Sequence, residues 1–208
     1  MGNHNNYYRD ALRYLGCIDI SDQDPADLKK RAFALSLAGL LGDEVFNFGE
    51  LLQHQIIHYV KQDWPWLYDL LCAFNSGDIQ KYEALRPKWS SQPDLAASEI
   101  HLRQKISLLC LMELTFKSST GVLTFQEIAA QTCLPLDEVE LIVMKALSLR
   151  LIEGSIDEVD QRVNLTWVQP RVLDKEQIAG LRTKIDLWTG KVRDISQLLE
   201  SNAQEILT

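Results

Sequence analysis

Apolar positions along this chain recur mostly every three or four residues, and between Thr124 and Val168 that period changes. Thr124-Phe125-Gln126-Glu127 has the form of a capping box. The threonine hydroxyl accepts from the Glu127 amide, and the glutamate reaches back to the Thr124 N–H. Phe125, Ile128 and Ala129 then lie along one side of a short helix. Thr132-Cys133-Leu134-Pro135 reads as a turn, with the proline suited to the first position of a second helix. That helix places Val139, Ile142, Val143, Ala146 and Leu147 at i, i+3, i+4, i+7 and i+8, the spacing of a buried stripe. The period then falls to two. Ile152, Gly154 and Ile156 alternate on one strand, Val163, Leu165 and Trp167 on the next, with residues 157–160 as the loop. Two helices followed by a hairpin predict a winged-helix module.

Upstream, the pattern is helical almost without interruption to about Phe116. Tyr8, Ala11, Leu12 and Leu15 mark a first helix that stops near Gly16. Asp24-Pro25 is an N-cap followed by proline at the first position, opening a helix that runs to Gly42. Its interior, residues 32–38, is apolar nearly all round, as in a helix covered on both sides. Asn47 caps a third helix with the stripe Phe48, Leu51, Leu52 and Ile56. Pro65 opens a fourth that ends at Asn75-Ser76-Gly77. Asp78 caps a fifth that Pro87 ends, and a long sixth runs from about Pro93 to Phe116. Successive helices with short connections predict antiparallel pairs stacked as a right-handed solenoid of irregular repeat. The chain opens inside this pattern with no capping element ahead of it, so further N-terminal structure is expected.

The last helix has the cleanest period. Asp174 is its expected N-cap, after Pro170 breaks the preceding pattern. Ile178, Ile185, Val192, Leu199 and Ile206 are seven apart, and Leu181, Trp188, Ile195 and Asn202 fall between them at alternating three and four. This is an a/d seam over about four heptads. A lone helix with such a stripe is marginal in water, and Gly180 and Gly190 weaken it by ~1 kcal/mol each relative to alanine. Each large apolar side chain removed from water contributes ~1.5–3 kcal/mol, so the seam has a strong drive to dock. A narrow stripe suits a helix bundle. The competing reading folds the helix back onto its own domain.

The chain of 208 residues is 46% hydrophobic, enough for a sizeable core, and its net charge is −8. That charge opposes a grip on phosphate backbones. If Val139 and Val143 face the core, the second winged-helix helix presents Asp137, Leu141, Met144, Lys145 and Ser148. Base-reading faces carry Arg, Lys, Asn and Gln instead. Residues 151–170 hold four acids, Glu153, Asp157, Glu158 and Asp160, against Arg162. A Leu/Met face beside an open hairpin fits protein contact, by packing or by strand addition. No apolar run reaches the ~18 residues of a membrane helix, and the first residues do not have the charged-then-apolar pattern expected of a leader.

Catalytic chemistry has little to stand on. Cys17, Cys72, Cys110 and Cys133 are scattered through apolar helical surroundings and read as reduced core thiols rather than metal ligands. His54 and His58 at i, i+4 have the spacing of zinc ligands, but Gln55 stands where a general-base glutamate would be, and no third ligand is evident. Neither a Gly-x-Ser-x-Gly elbow nor a phosphate-cradling glycine loop occurs. Gly154-Ser155 lies inside a strand, where glycine marks a bulge or close packing. No cofactor, metal, nucleic-acid, membrane or small-molecule site is therefore expected.

A helical stack leading into a winged helix and a long terminal helix resembles the PCI domain of scaffold subunits in the proteasome lid, the COP9 signalosome and a translation initiation complex. The strings Phe46-Asn47-Phe48-Gly49-Glu50-Leu51-Leu52, Leu70-Leu71-Cys72-Ala73-Phe74-Asn75-Ser76-Gly77 and Gln92-Pro93-Asp94-Leu95-Ala96-Ala97 are similar to proteasome-lid members. So are residues 154–160, 166–173 and 206–208. The resemblance implies a mainly α protein with three parts: a TPR-like helical-repeat solenoid over 1–117, a winged helix over 118–170, and an assembly helix over 171–208. It implies a non-catalytic lid subunit of cytoplasm and nucleus, with other PCI and MPN subunits as partners. In that family winged helices associate side by side, C-terminal helices gather into a bundle, and more repeats precede this point. Ile178, Leu181, Ile185, Trp188, Val192, Ile195 and Leu199 are the expected bundle contacts, and Leu141, Met144 and Ile156 the lateral ones. Membership of a related complex and a nucleic-acid adaptor role are the alternatives.

Overall fold

The computed structural model describes residues 3–18, 23–118, 120–172 and 175–207, with the side chains of 175–176 and 201–207 left aside. It divides into two compact units, split between Arg171 and Val172. The first is a stack of helices running into a small sheet, all sharing one hydrophobic core.

Helix α1 (His4–Gly16) starts at Asn3, whose side chain accepts from the Asn6 amide. Asp24 caps α2 (Pro25–Leu41) through the Ala26 amide at 3.1 Å, and Pro25 takes a first-turn position where a missing N–H costs nothing. The two helices pack on each other, and a Cβ on Gly39 would come within 3.0 Å of the Tyr8 ring. Ala32, Leu35 and Ala38 of α2 are buried, with Phe33 and Leu37 half-buried on its other flanks, as an all-round apolar helix requires.

The third predicted helix is two short ones, α3 (Gly49–Gln53) and α4 (Ile57–Asp63). His54 is extended at ψ 142°, and its Nδ1 accepts from the Ile56 amide at 3.2 Å. This local side-chain bond competes with the helical ladder and breaks it. The N-cap of α3 is Phe48 rather than Asn47. Helix α5 (Pro65–Ser76) ends in a Schellman motif: Asp78 N–H bonds the Ala73 carbonyl and Gly77 N–H that of Phe74. Gly77 is left-handed at φ 65°, and a Cβ there would strike the backbone of Cys110.

Asp78 caps α6 (Ile79–Trp89) through the Lys81 amide at 3.0 Å. Pro87 does not end this helix. It lies in the last turn, where its ring costs only the bond to the carbonyl at exposed Glu83, and burial of Trp89 holds the turn together. Trp89 stacks on Tyr82, Tyr82 meets Phe74 edge-on, and Phe74 meets Phe48, with centroids 5.3, 5.8 and 5.8 Å apart. This ladder of rings is the spine of the core. The long sixth helix also divides, at Ser98, into α7 (Pro93–Ala97) and α8 (Glu99–Lys117).

Helix α8 is buried along most of its length, Lys105 included. The Lys105 ammonium donates to the carbonyls of Gly39, Leu40 and Gly42 at 2.7, 3.1 and 2.6 Å, satisfying the open end of α2. Phe46 and Phe48 place ring faces near it.

The winged helix follows: β1 (Val122–Thr124), α9 (Phe125–Thr132), α10 (Leu136–Ser148), β2 (Ile152–Asp157) and β3 (Arg162–Val168). Both halves of the Thr124–Glu127 capping box are present. Pro135 sits one residue earlier than expected, at the N-cap of α10. The sheet is antiparallel in the order β1-β3-β2, so a third strand not foreseen pairs with β3. Glu153 pairs with Trp167 but Gly154 with Leu165, leaving Thr166 as a bulge. The bulge overturns the expected alternation. Val163 and Leu165 are buried, whereas Trp167 is turned outward and Val168 packs inward in its place.

The second unit holds α11 (Lys175–Leu207). The expected cap Asp174 lies outside the described residues. All four cysteines are free, and only Cys110 is a core thiol. Cys72 is half-buried, and Cys17 and Cys133 are exposed, at the ends of α1 and α9. The expectation of four core thiols fails because both helix ends lie at the surface.

Candidate protein-docking surfaces

On α11 the residues singled out from the heptad pattern are all exposed: Ile178, Leu181, Ile185, Trp188, Val192, Ile195 and Leu199 lie between 40% and 67% accessible. A single helix cannot cover its own stripe, so among the described residues this row is exposed apolar surface. Thr183 and Thr189 return their hydroxyls to the Ala179 and Ile185 carbonyls, removing two donors from the helix surface. Leu187 and Leu198 are equally exposed and were missed by the heptad reading. They are eleven residues apart, about three turns, and share a second flank beside the first. The signal for them was in the sequence at that spacing, outside the seven-residue repeat. Asn202 and Ile206 lie among the side chains not described.

Within the first unit, Val139, Ile142, Val143 and Ala146 anchor α10 in the core, and its outer face carries Asp137, Leu141, Met144, Lys145 and Ser148, as expected. Leu141 is 60% exposed against 0% for Val143, two residues on. A groove of ≈ 590 Å³ runs between α8 and α10, with Ile100, Leu108, Leu134, Leu141 and Ile142 among its lining. Lys145 at its rim donates to the Gln104 side chain at 2.7 Å, and Arg86 pairs with Glu99 nearby. Ile156 differs from the other two lateral candidates. It pairs with Val163, is half-buried and packs on the core, so it offers little free surface.

At the wing, Asp160 N–H bonds the Asp157 carboxylate at 3.1 Å and Val159 projects 94% exposed among acids. Among the described residues, strand β2 lies at the end of the strand order and pairs with β3. The Gly154 Cβ position is closed by the Asn164 carbonyl, which explains the glycine as a close backbone approach beside the bulge.

His54 and His58 fall on different elements, the end of α3 and the first turn of α4, so the i, i+4 geometry of a ligand pair does not form. Among the described residues, no three His, Cys, Asp or Glu side chains come together as a metal site, and no helix is long and apolar enough to cross a membrane.

Stacked helices run into a winged helix whose second helix turns Leu and Met outward, and a striped terminal helix follows. Residues 79–167 match the model of the PCI domain, and residues 1–71 match that of the PSD13 N-terminal repeats. The chain's relatives include 26S proteasome regulatory subunit RPN9 of Saccharomyces cerevisiae, 38% identical over 97% of this chain and 52% of that protein. The probable regulatory subunit rpn9 of Schizosaccharomyces pombe is 40% identical over 96% and 53%. The 26S proteasome non-ATPase regulatory subunit 13 homolog B of Arabidopsis thaliana is 37% identical over 97% and 54%. The chain thus spans about half the length of these relatives.

Proposed function

We propose that this chain is a non-catalytic scaffold of the proteasome regulatory particle lid, acting in ubiquitin-dependent protein degradation in cytoplasm and nucleus. Its partners are other PCI and MPN subunits. The single observation that carries the reading is the exposed stripe of α11, an apolar row in search of other helices. The naming of its relatives as 26S proteasome regulatory subunits supports the choice of complex. In this reading residues 1–117 are the helical-repeat support, 118–170 the lateral module and 171–208 the bundle helix. Ile178, Leu181, Ile185, Trp188, Val192, Ile195 and Leu199 contact partner helices. Leu141 and Met144 make the lateral contact, with Ile156 at its margin.

The test is Ile185→Asp with Val192→Asp in the full chain, co-expressed with the other lid subunits. Loss of co-purification with an unchanged melting profile of the first unit is expected. Full co-purification of the double variant would falsify the reading. Which complex the wild-type chain enters separates the lid from the COP9 signalosome and the initiation complex. A nucleic-acid adaptor would retain duplex or single-stranded probes at low salt. The acidic wing and the single lysine of the α10 face predict no retention.

A further inference from the structure

The exposed seam of α11 places Ile178, Ile185, Val192 and Leu199 at heptad position a, and Leu181, Trp188 and Ile195 at d. The residues beside it are then Arg182, Thr189 and Ser196 at e, and Gln177, Lys184, Lys191 and Leu198 at g. Three of these seven are positive and none is negative, in a chain whose net charge is −8. The acids of the helix with described side chains, Asp186, Asp194 and Glu200, fall at b and c, further round from the seam. Arg182, Lys184 and Lys191 are all exposed. Arg182 lies 3.8 Å from Asp186 one turn on, but both side chains stand largely in water, where such a pair holds its charges weakly. Past Lys191 the rim is neutral, at Ser196 and Leu198. The basic stretch therefore runs over residues 182–191.

Flanking residues decide which helix an apolar seam accepts, because a docked helix sets its own e and g side chains against them. A second copy of this chain answers the rim badly. Running parallel, it would oppose Lys184 and Lys191 with the uncharged Thr189 and Ser196. Running antiparallel with Ile185 layered on Trp188, it would bring lysine to lysine. We propose that α11 receives a helix of a different chain, one whose apolar stripe is flanked by acids opposite residues 182–191, and that it rejects a second copy of itself. The inference rests on the reading of α11 as a docking helix and adds the chemistry of its partner.

The full chain is titrated against two synthetic helices of four heptads, alike in Ile and Leu at a and d, one with Glu and the other with Lys at every e and g. Fluorescence anisotropy at low salt reads the binding. The Glu helix is expected to bind about tenfold tighter, against the pull of the chain's overall charge, and the gap to close at about 1 M salt. Arg182→Glu with Lys184→Glu and Lys191→Glu is expected to invert the preference, while Arg193→Glu, at b, leaves it in place. Equal affinities, binding of neither helix, a preference for Lys, or a preference that the triple variant keeps overturns the proposal. So does a dimer of the chain alone in sedimentation that Ile185→Asp with Val192→Asp dissolves. Should the triple variant lose helicity by circular dichroism, Gln at the same three positions preserves helix propensity, and loss of the preference is then the expected result. Undiminished assembly of the Ile185→Asp, Val192→Asp variant with the lid subunits sinks the docking reading itself. Its loss, with both synthetic helices bound equally, sinks only the acidic partner.

Discussion

Lys105 donates from the middle of α8 to the carbonyl of Gly42 at 2.6 Å, closing the end of a helix that precedes it by 63 residues. Burial pushes this ammonium down to about 7, with Asp43 opposing the shift. An unfolded chain keeps the proton to about 10.4. Between those values the unfolded state binds more protons, so the stability tied to this group is present in full above the unfolded value and is lost as pH falls through about 7. Urea unfolding from pH 6.5 to 9 is expected to show stability rising with pH, and Lys105→Met to remove that slope. The same variant leaves the α2 carbonyls without their donor and is expected to be less stable throughout, by about 1–3 kcal/mol.

Gly77 joins α5 to α6 in a left-handed conformation with the α8 backbone against its α-carbon. Gly77→Ala is expected to cost about 1–3 kcal/mol from the backbone angle alone, and more from the collision with Cys110. Thermal unfolding would register this as a fall of several degrees, at about 2–4 °C per kcal/mol in a chain of this size. An unchanged midpoint would mean the turn relaxes without cost.

The winged helix is opened by the reciprocal bonds of Thr124 and Glu127, and those bonds hold the Glu127 carboxyl below its usual range. The stability they give is present above the unfolded glutamate value and is lost as pH falls through the lowered folded one. Thr124→Ala is expected to cost about 1 kcal/mol at neutral pH and to soften the acid end of the unfolding profile. Chemical denaturation at pH 7 and pH 3.5 tests both parts.

Leu141 and Met144 are exposed on a helix whose other side is locked in the core. Leu141→Glu with Met144→Glu is expected to leave the melting temperature within a degree or two of wild type, as surface changes do, while weakening lateral assembly. Comigration of the variant with its partners on native gels at undiminished affinity would remove this face from the interface.

Leu187 and Leu198 are expected to matter to the bundle as much as the heptad residues beside them. Leu187→Ser with Leu198→Ser keeps the seven-residue stripe intact, so a several-fold loss of co-purification would show that α11 meets more than one neighbour. Full retention would confine contact to the single seam.

Signals carried by local chemistry were legible in the sequence. Asp24, Asp78 and Thr124 cap where their side chains suggest, and Gly77 ends α5 for the reason glycine usually ends a helix. What escaped depended on contacts between distant residues. A single imidazole bond split the helix around His54, and Trp89 burial carried α6 through Pro87. Strand β1, three residues long, has no period of its own and exists because β3 offers it an edge. The bulge at Thr166 reversed Trp167 and Val168, a change of facing that alternation cannot foretell. For the docking surfaces, the stripe was visible because its repeat is strict, and Leu187 and Leu198 were hidden because theirs is not.

That reversal at Thr166 has an optical consequence. It puts one indole, Trp167, on the outside of the wing, while Trp188 stands on the terminal helix and Trp89 is sealed within the ring ladder. Of the five tryptophans the other two, Trp64 and Trp66, are half-buried in the first unit, so Trp167 and Trp188 are the exposed pair. With Trp64, Trp66 and Trp188 replaced by phenylalanine, iodide quenching of the emission reports whether the wing is covered, against the sealed Trp89 as background. With Trp64, Trp66 and Trp167 replaced, it reports the coil, and no dye need be attached for either.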